Sequence, residues 1–162
     1  LSFKFPEEDV PNPKYSFGSE NHKISDIESL TLTFAYDYLS VTSTNLCFNF
    51  KDISAEDYRK LFEFKKEISL IPISELLDNS RYKLKYRFHT IDLSKKGFLV
   101  PLIKNLLGIN NNTTTLRLPQ IYQLALYTDD LKAPRIVGFF GNYAVFHLLW
   151  LDYNHSIYPL PK

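Results

Sequence analysis

Ile136-Val137-Gly138-Phe139-Phe140-Gly141-Asn142-Tyr143-Ala144-Val145-Phe146-His147-Leu148-Leu149-Trp150-Leu151 carries no charged residue, and its reading decides the fold. At 16 residues the stretch is shorter than the roughly 20 that a membrane helix needs. Gly141-Asn142 near its middle is a turn signal, so the stretch reads as two buried strands joined by a two-residue loop. The strands expected are Arg135–Phe140 and residues 143–151. His147 alternates inside the second of them and reads as a satisfied core histidine. Leu124, Val137, Phe146 and Leu149 are the expected core.

Working outward, residues 121–127 read as a third strand. Residues 98–107 read as an apolar helix, with Pro101 in its first turn and Gly108 as its stop. Ser54-Ala55-Glu56-Asp57 has the pattern of a capping box, in which hydroxyl and carboxylate satisfy the amides at a helix start. Tyr58, Leu61, Phe62 and Ile68 follow at helical spacing, which predicts a helix over 55–68. A shorter helix is expected over Ile73–Asp78. In residues 30–39, Leu30, Leu32, Phe34, Tyr36 and Tyr38 alternate as in a strand. A turn at Thr42-Ser43-Thr44-Asn45 and a return strand over 46–50 make that a hairpin. Residues 1–28 hold three of the nine prolines and read as a peripheral arm; 110–115 read as a polar loop. Strands, helices and then more strands predict an α+β domain, 1–162, with a largely antiparallel sheet and two or three helices packed on one side.

Composition agrees. Aromatics make up 15% of the 162 residues, with 13 Phe and 11 Tyr, which favours strands over an Ala/Leu bundle. With 44% apolar and 23% charged residues the chain is not disordered as a whole. A single cysteine, Cys47, excludes an internal disulfide framework and a Cys-rich zinc site, and reads as a small buried hydrophobe. No basic-then-apolar segment suggests a secretory signal, so a cytoplasmic location is the expectation; the Asn-x-Ser/Thr matches at Asn111, Asn112 and Asn154 do not alter it.

Charge is polarised. Residues 1–80 carry eight Lys/Arg against 14 Asp/Glu, whereas residues 81–162 carry 11 against four. Such a chain either binds a polyanion with its basic half or neutralises one half with the other. The sharpest feature is Arg81-Tyr82-Lys83-Leu84-Lys85-Tyr86-Arg87-Phe88-His89. Read as a strand over 81–91, it lines Arg81, Lys83, Lys85, Arg87 and His89 along one face. Neighbours on that face are about 6.5–7 Å apart, near the phosphate spacing of an extended single strand. An RNA or DNA backbone would relieve their repulsion. A solvated edge, or a ladder against carboxylates of the acidic half, would do so too.

Asp152 and His155 follow the last strand, where loops present functional groups. An Asp152 carboxylate on one imidazole nitrogen would orient His155 for proton transfer; the alternative is a tight turn in which Asp152 caps backbone amides. His22 carries no signal. Metal-ligand spacings, glycine-rich phosphate loops, nucleophile elbows and dinucleotide fingerprints are missing from the sequence, so no cofactor is expected.

The segments Tyr86-Arg87-Phe88-His89, Arg135-Ile136-Val137-Gly138-Phe139 and Phe146-His147-Leu148-Leu149-Trp150-Leu151-Asp152-Tyr153-Asn154-His155-Ser156-Ile157-Tyr158-Pro159 resemble a group of small bacterial proteins of unassigned function. The layout of helices before an antiparallel sheet is also similar to that of RelE-type ribonuclease toxins. That resemblance implies RNA as substrate, with Arg87, His155 and Tyr158 near it. The function expected is RNA or DNA binding through Arg81, Lys83, Lys85, Arg87 and Tyr158. Metal-independent RNA cleavage would then use His155, Asp152 and His89. The rival expectation is a protein-binding module without catalytic activity.

Overall fold

The charge-free stretch folds as two antiparallel strands. The computed structural model describes residues 29–41, 53–78, 80–110, 112, 118–128, 133–141 and 144–159. In chain order they form β1 (Thr33–Ala35), α1 (Ala55–Ile68), α2 (Ile73–Asp78), α3 (Ser80–Tyr86), β2 (His89–Thr90), α4 (Leu99–Leu106), β3 (Ile121–Ala125), β4 (Arg135–Phe140) and β5 (Val145–Asp152). The sheet order is β1-β5-β4-β3-β2. β1 runs parallel to β5 and every other pairing is antiparallel, so the protein is α+β with a mixed, mostly antiparallel sheet.

Local chemistry accounts for the ends of the helices. The Ser54 hydroxyl accepts the Asp57 N–H at 3.2 Å, and Asp57 Oδ2 accepts the Ser54 N–H at 2.8 Å, closing the capping box of α1. Gly108, at φ +63°, ends α4, and the Ile109 N–H reaches back to the Lys104 carbonyl at 2.8 Å.

Neighbouring strand residues point to opposite faces, which assigns the two cores. On one face Leu124, Ile136, Phe146 and Leu148 meet Phe64, Ile68, Ile73, Leu76 and Tyr86 from α1, α2 and α3. Of the helices expected on one side, α1 and α2 lie here, joined by the unexpected α3, whereas the third expected helix, α4, packs on the opposite face. On the other face Ile121, Val137, Leu149 and Trp150 meet Leu99 and Ile103 of α4. Leu149 and Trp150 share a face because the ladder slips there: Val137 pairs with Trp150 and Gly138 with Leu148, leaving Leu149 as a bulge. Leu124, Val137, Phe146 and Leu149 are all 0% exposed, as the hydrophobic pattern requires.

Residues 81–91 are not one strand. Through Tyr86 they are helical, and only His89 and Thr90 join the sheet. Spacing explains the difference: Tyr82 and Tyr86 are also an i, i+4 pair. Their rings stack at 6.4 Å, and Tyr86 meets Phe64 edge-on at 5.7 Å. Residues 30–39 contribute only Thr33–Ala35, whose partner is β5. β3 ends at Ala125, and β5 runs from Val145 to Asp152. The Gly141 N–H on the Val145 carbonyl at 2.8 Å closes the β4–β5 turn, with Ala144 left-handed at φ 60°. That turn is longer than the two-residue loop expected. The expected arm over 1–28, the 42–45 turn, the 46–50 strand with Cys47, and His22 lie outside the described residues, as does most of the 110–115 loop.

Candidate functional site

Register brings the site together on the α4 face of the sheet. His89 pairs with Gln123, Gln123 with Val137, and Arg135, two residues from Val137, pairs with Asp152. His89, Gln123, Arg135 and Asp152 therefore share one face. The turn after β5 adds His155 and Tyr158.

Asp152 is fully buried and accepts the Ser156 N–H at 2.7 Å and the Ile157 N–H at 2.9 Å. Its carboxylate is thus committed to the turn, and no hydrogen bond joins it to the imidazole of His155. It acts on His155 by charge. A hydrogen bond to the main chain of Tyr158 holds the ring instead. His155 itself stands at φ 54° and is 9% exposed. Burial, and then the nearby Arg135 guanidinium, push its pKa below the ordinary histidine value, with Asp152 opposing. The imidazole is neutral at pH 7.

Arg135 is buried and donates from Nη1 to the carbonyls of Ala133 (2.9 Å), Pro134 (3.2 Å) and Tyr127 (3.3 Å). Burial, and then Arg87, lower its pKa, while Asp152 raises it. Among the described residues, three buried side-chain polar atoms have no hydrogen-bond partner: Gln123 Oε1, Arg135 Nε and His155 Nδ1. All three belong to this cluster. An acceptor, a donor and an imidazole nitrogen of either role are an uncommon concentration, since buried polar groups are nearly always paired.

The mouth of the cluster is cationic and aromatic. Arg87 and His89 are exposed, and Tyr158 is half-buried. The His89 ring meets Tyr158 edge-on at 5.5 Å, and Lys96 Nζ lies 4.4 Å from the Tyr158 ring centroid. Arg87 occupies the position after α3 that glycine usually fills: its φ is 46°, and the Phe88 N–H bonds the Lys83 carbonyl at 3.1 Å. A non-glycine residue in that conformation costs roughly 1–2 kcal/mol.

The structure thus gathers Arg87, His89, Asp152, His155 and Tyr158, which the sequence singled out in two separate segments. It does not gather Arg81, Lys83 and Lys85. These lie on the exposed surface of α3, where Lys85 pairs with Glu67 at 2.7 Å. Gln123, Arg135 and Lys96 were missed. Gln123 and Arg135 had one legible signal, a polar residue in or beside a strand pattern otherwise apolar. His147 is satisfied, with Nδ1 on Asp37 Oδ1 at 2.9 Å and its ring stacked on Phe139 at 5.0 Å, but it is half-buried at the surface and not a core histidine as expected.

Among the described residues, no group of three or more His, Cys, Asp or Glu side chains is placed to hold a metal, and no helix is long and apolar enough to cross a membrane. Fold and cluster define an α+β protein with a polar, cation-rimmed site at one end of its sheet. No family model, curated protein or solved structure matches the chain.

Proposed function

We propose that the protein binds single-stranded RNA at the Arg87–His89–Tyr158 mouth and cleaves it by proton transfer at His155. One observation carries the reading. Two of the three left-handed non-glycine residues among those described, Arg87 and His155, are each within electrostatic reach of Arg135, and His155 and Arg135 carry two of the three unpartnered buried polar atoms. Strain of this kind persists where surrounding structure enforces it, and it concentrates at functional sites. Arg87 and Lys96 supply phosphate-binding charge, and Tyr158 offers a ring for a base. A neutral His155 is in the protonation state a general base needs: it takes the 2′-hydroxyl proton, the 2′-oxygen bonds to phosphorus, and the P–O5′ bond breaks, the departing 5′-oxygen taking a proton from water. Arg135, behind it, faces the negative charge that develops on the phosphate.

Arg87→Gly separates this role from a structural one. Glycine suits the left-handed conformation, so melting temperature should hold or rise. Affinity for a fluorescein-labelled RNA oligonucleotide should fall, and the steepness of its salt dependence should decrease by about one phosphate contact. Unchanged RNA affinity with a raised melting temperature would remove RNA from this site.

A further inference from the structure

Asp57 lies on the side of the sheet away from the site, yet the two tyrosines it holds lead directly to Arg135 and His155. Its carboxylate is 5% exposed and sits in the first turn of α1. Oδ2 accepts the Tyr153 hydroxyl at 2.9 Å and Oδ1 accepts the Tyr127 hydroxyl, from residues 96 and 70 positions further along the chain. Both rings pack in the core that α1, α2 and α3 form with the sheet. Ser54 fixes the carboxylate at the helix start, donating its N–H at 2.8 Å and its hydroxyl at 2.7 Å.

Each tyrosine carries the restraint onward through its own main chain. The Tyr127 carbonyl accepts Arg135 Nη1 at 3.3 Å and is one of three carbonyls on that nitrogen. Tyr153 follows Asp152, the last residue of β5. Successive side chains of a strand point to opposite faces, so Asp152 turns into the site while Tyr153 reaches Asp57. The turn that bears His155 is thereby tied on both faces of the sheet. On the site face the Asp152 carboxylate accepts the Ser156 and Ile157 N–H groups, and the Asp152 carbonyl accepts the His155 N–H at 3.3 Å. On the far face the tie is Tyr153. His155 needs such ties, because its φ of 54° persists only where surrounding structure enforces it.

We propose that Asp57 is a positioning residue for the site, holding the His155 turn through Tyr153 and the Arg135 guanidinium through the Tyr127 carbonyl. The kinetic consequence rests on His155 being the proton acceptor in RNA cleavage, whereas the placement of the imidazole is measured without RNA. Misplacing a catalytic group by about 1 Å costs on the order of 10²-fold in rate. Loosening the network should therefore slow the step at His155 and leave RNA binding at Arg87 and Tyr158 unchanged.

Tyr153→Phe and Tyr127→Phe each remove one hydroxyl and keep the ring. Titration of the His155 imidazole by NMR in the full chain reads their effect, because its burial and the charges of Arg135, Asp152 and His89 set its midpoint. Tyr153→Phe should move that midpoint upward, toward the ordinary histidine value of about 6.5. In single-turnover cleavage of an RNA oligonucleotide it should lower the rate at saturating RNA roughly tenfold or more, with Kd unchanged. Tyr127→Phe should move both in the same direction and by less, since Arg135 keeps the carbonyls of Ala133 and Pro134. Ile73→Val loosens the same core from α2, outside the hydrogen-bond network, and should move neither. An unmoved midpoint in the tyrosine variants would overturn the positioning role, and so would an equal shift in Ile73→Val. If Tyr153→Phe does not fold, the midpoint of Tyr127→Phe decides alone. Wild-type protein that leaves RNA intact would remove the cleavage reading, while the midpoints still decide the role of Asp57.

Discussion

Asp57 does two jobs with one carboxylate. It closes the α1 capping box through Ser54, and it accepts the hydroxyls of Tyr127 and, at 2.9 Å, of Tyr153. Burial alone would raise its pKa, but the Tyr127, Ser54 and Tyr153 hydrogen bonds outweigh that and hold it well below the usual carboxylate range. Tyr127 moves upward, through its own burial and through the Asp57 carboxylate. A group whose folded pKa is lowered stabilises the protein above its unfolded value, and this stability is lost as pH falls. Melting temperature should therefore drop below about pH 4, the ordinary Asp value. Asp57→Ala should flatten that drop and cost roughly 3 kcal/mol in denaturant titrations, through the lost cap and the loss of the carboxylate that the Tyr127 and Tyr153 hydroxyls share. The same sign applies to His155. Its contribution is complete above the ordinary histidine value of about 6.5 and declines on acidification, and the acid limb of the proposed RNA cleavage should lie below that value. Gly138 answers to sterics alone. A Cβ there would overlap the main-chain oxygen of His147 and sit 2.7 Å from the Phe146 ring, so Gly138→Ala should destabilise by about 3 kcal/mol or more on thermal melting.

At the scale of elements, α3 separates anchor from ornament. Tyr86 is 3% exposed and packs on Phe64, so Tyr86→Ala should cost about 3–5 kcal/mol in urea unfolding. Lys85→Ser removes an exposed pair with Glu67 and should cost less than about 1 kcal/mol. The same element shows where the sequence was ambiguous. α1 was legible because a capping box and a run of helical spacings agree over 14 residues. β4 and β5 were legible because a charge-free run with a Gly-Asn in it has few other outcomes. In α3, seven residues are too few to separate a period of two from a period of 3.6. Its lysines alternate with aromatic and apolar residues as on a strand, while the tyrosines sit one helical turn apart. What decides between them is Phe64, distant in sequence. The site was legible at Asp152, His155, Arg87 and His89, which are polar punctuation between apolar runs. The role of Asp152 was open, because a carboxylate serves a turn or a histidine equally well until the amides of Ser156 and Ile157 are placed.

At the scale of the molecule, the described residues show where the acidic and basic halves of the chain meet. Lys85 pairs with Glu67, and His147 with Asp37, whereas Arg87 and His89 remain exposed at the site mouth. Among the described residues, the charge is thus divided between pairs on the surface and a cationic rim. One topological feature has a further effect. β1 has its partner in β5, and Asp37 and His147 are 110 residues apart in the chain. During synthesis the N-terminal strand leaves the ribosome well before its partner exists. Helices α1 to α3 emerge in between and must wait for the sheet face that covers Phe64 and Tyr86. β5 follows every other described strand in the chain and pairs with β1 on one side and β4 on the other. A ribosome stalled before Val145 would display helices α1 to α3 without the Phe146 and Leu148 that cover them, and only release of β5 lets this core close.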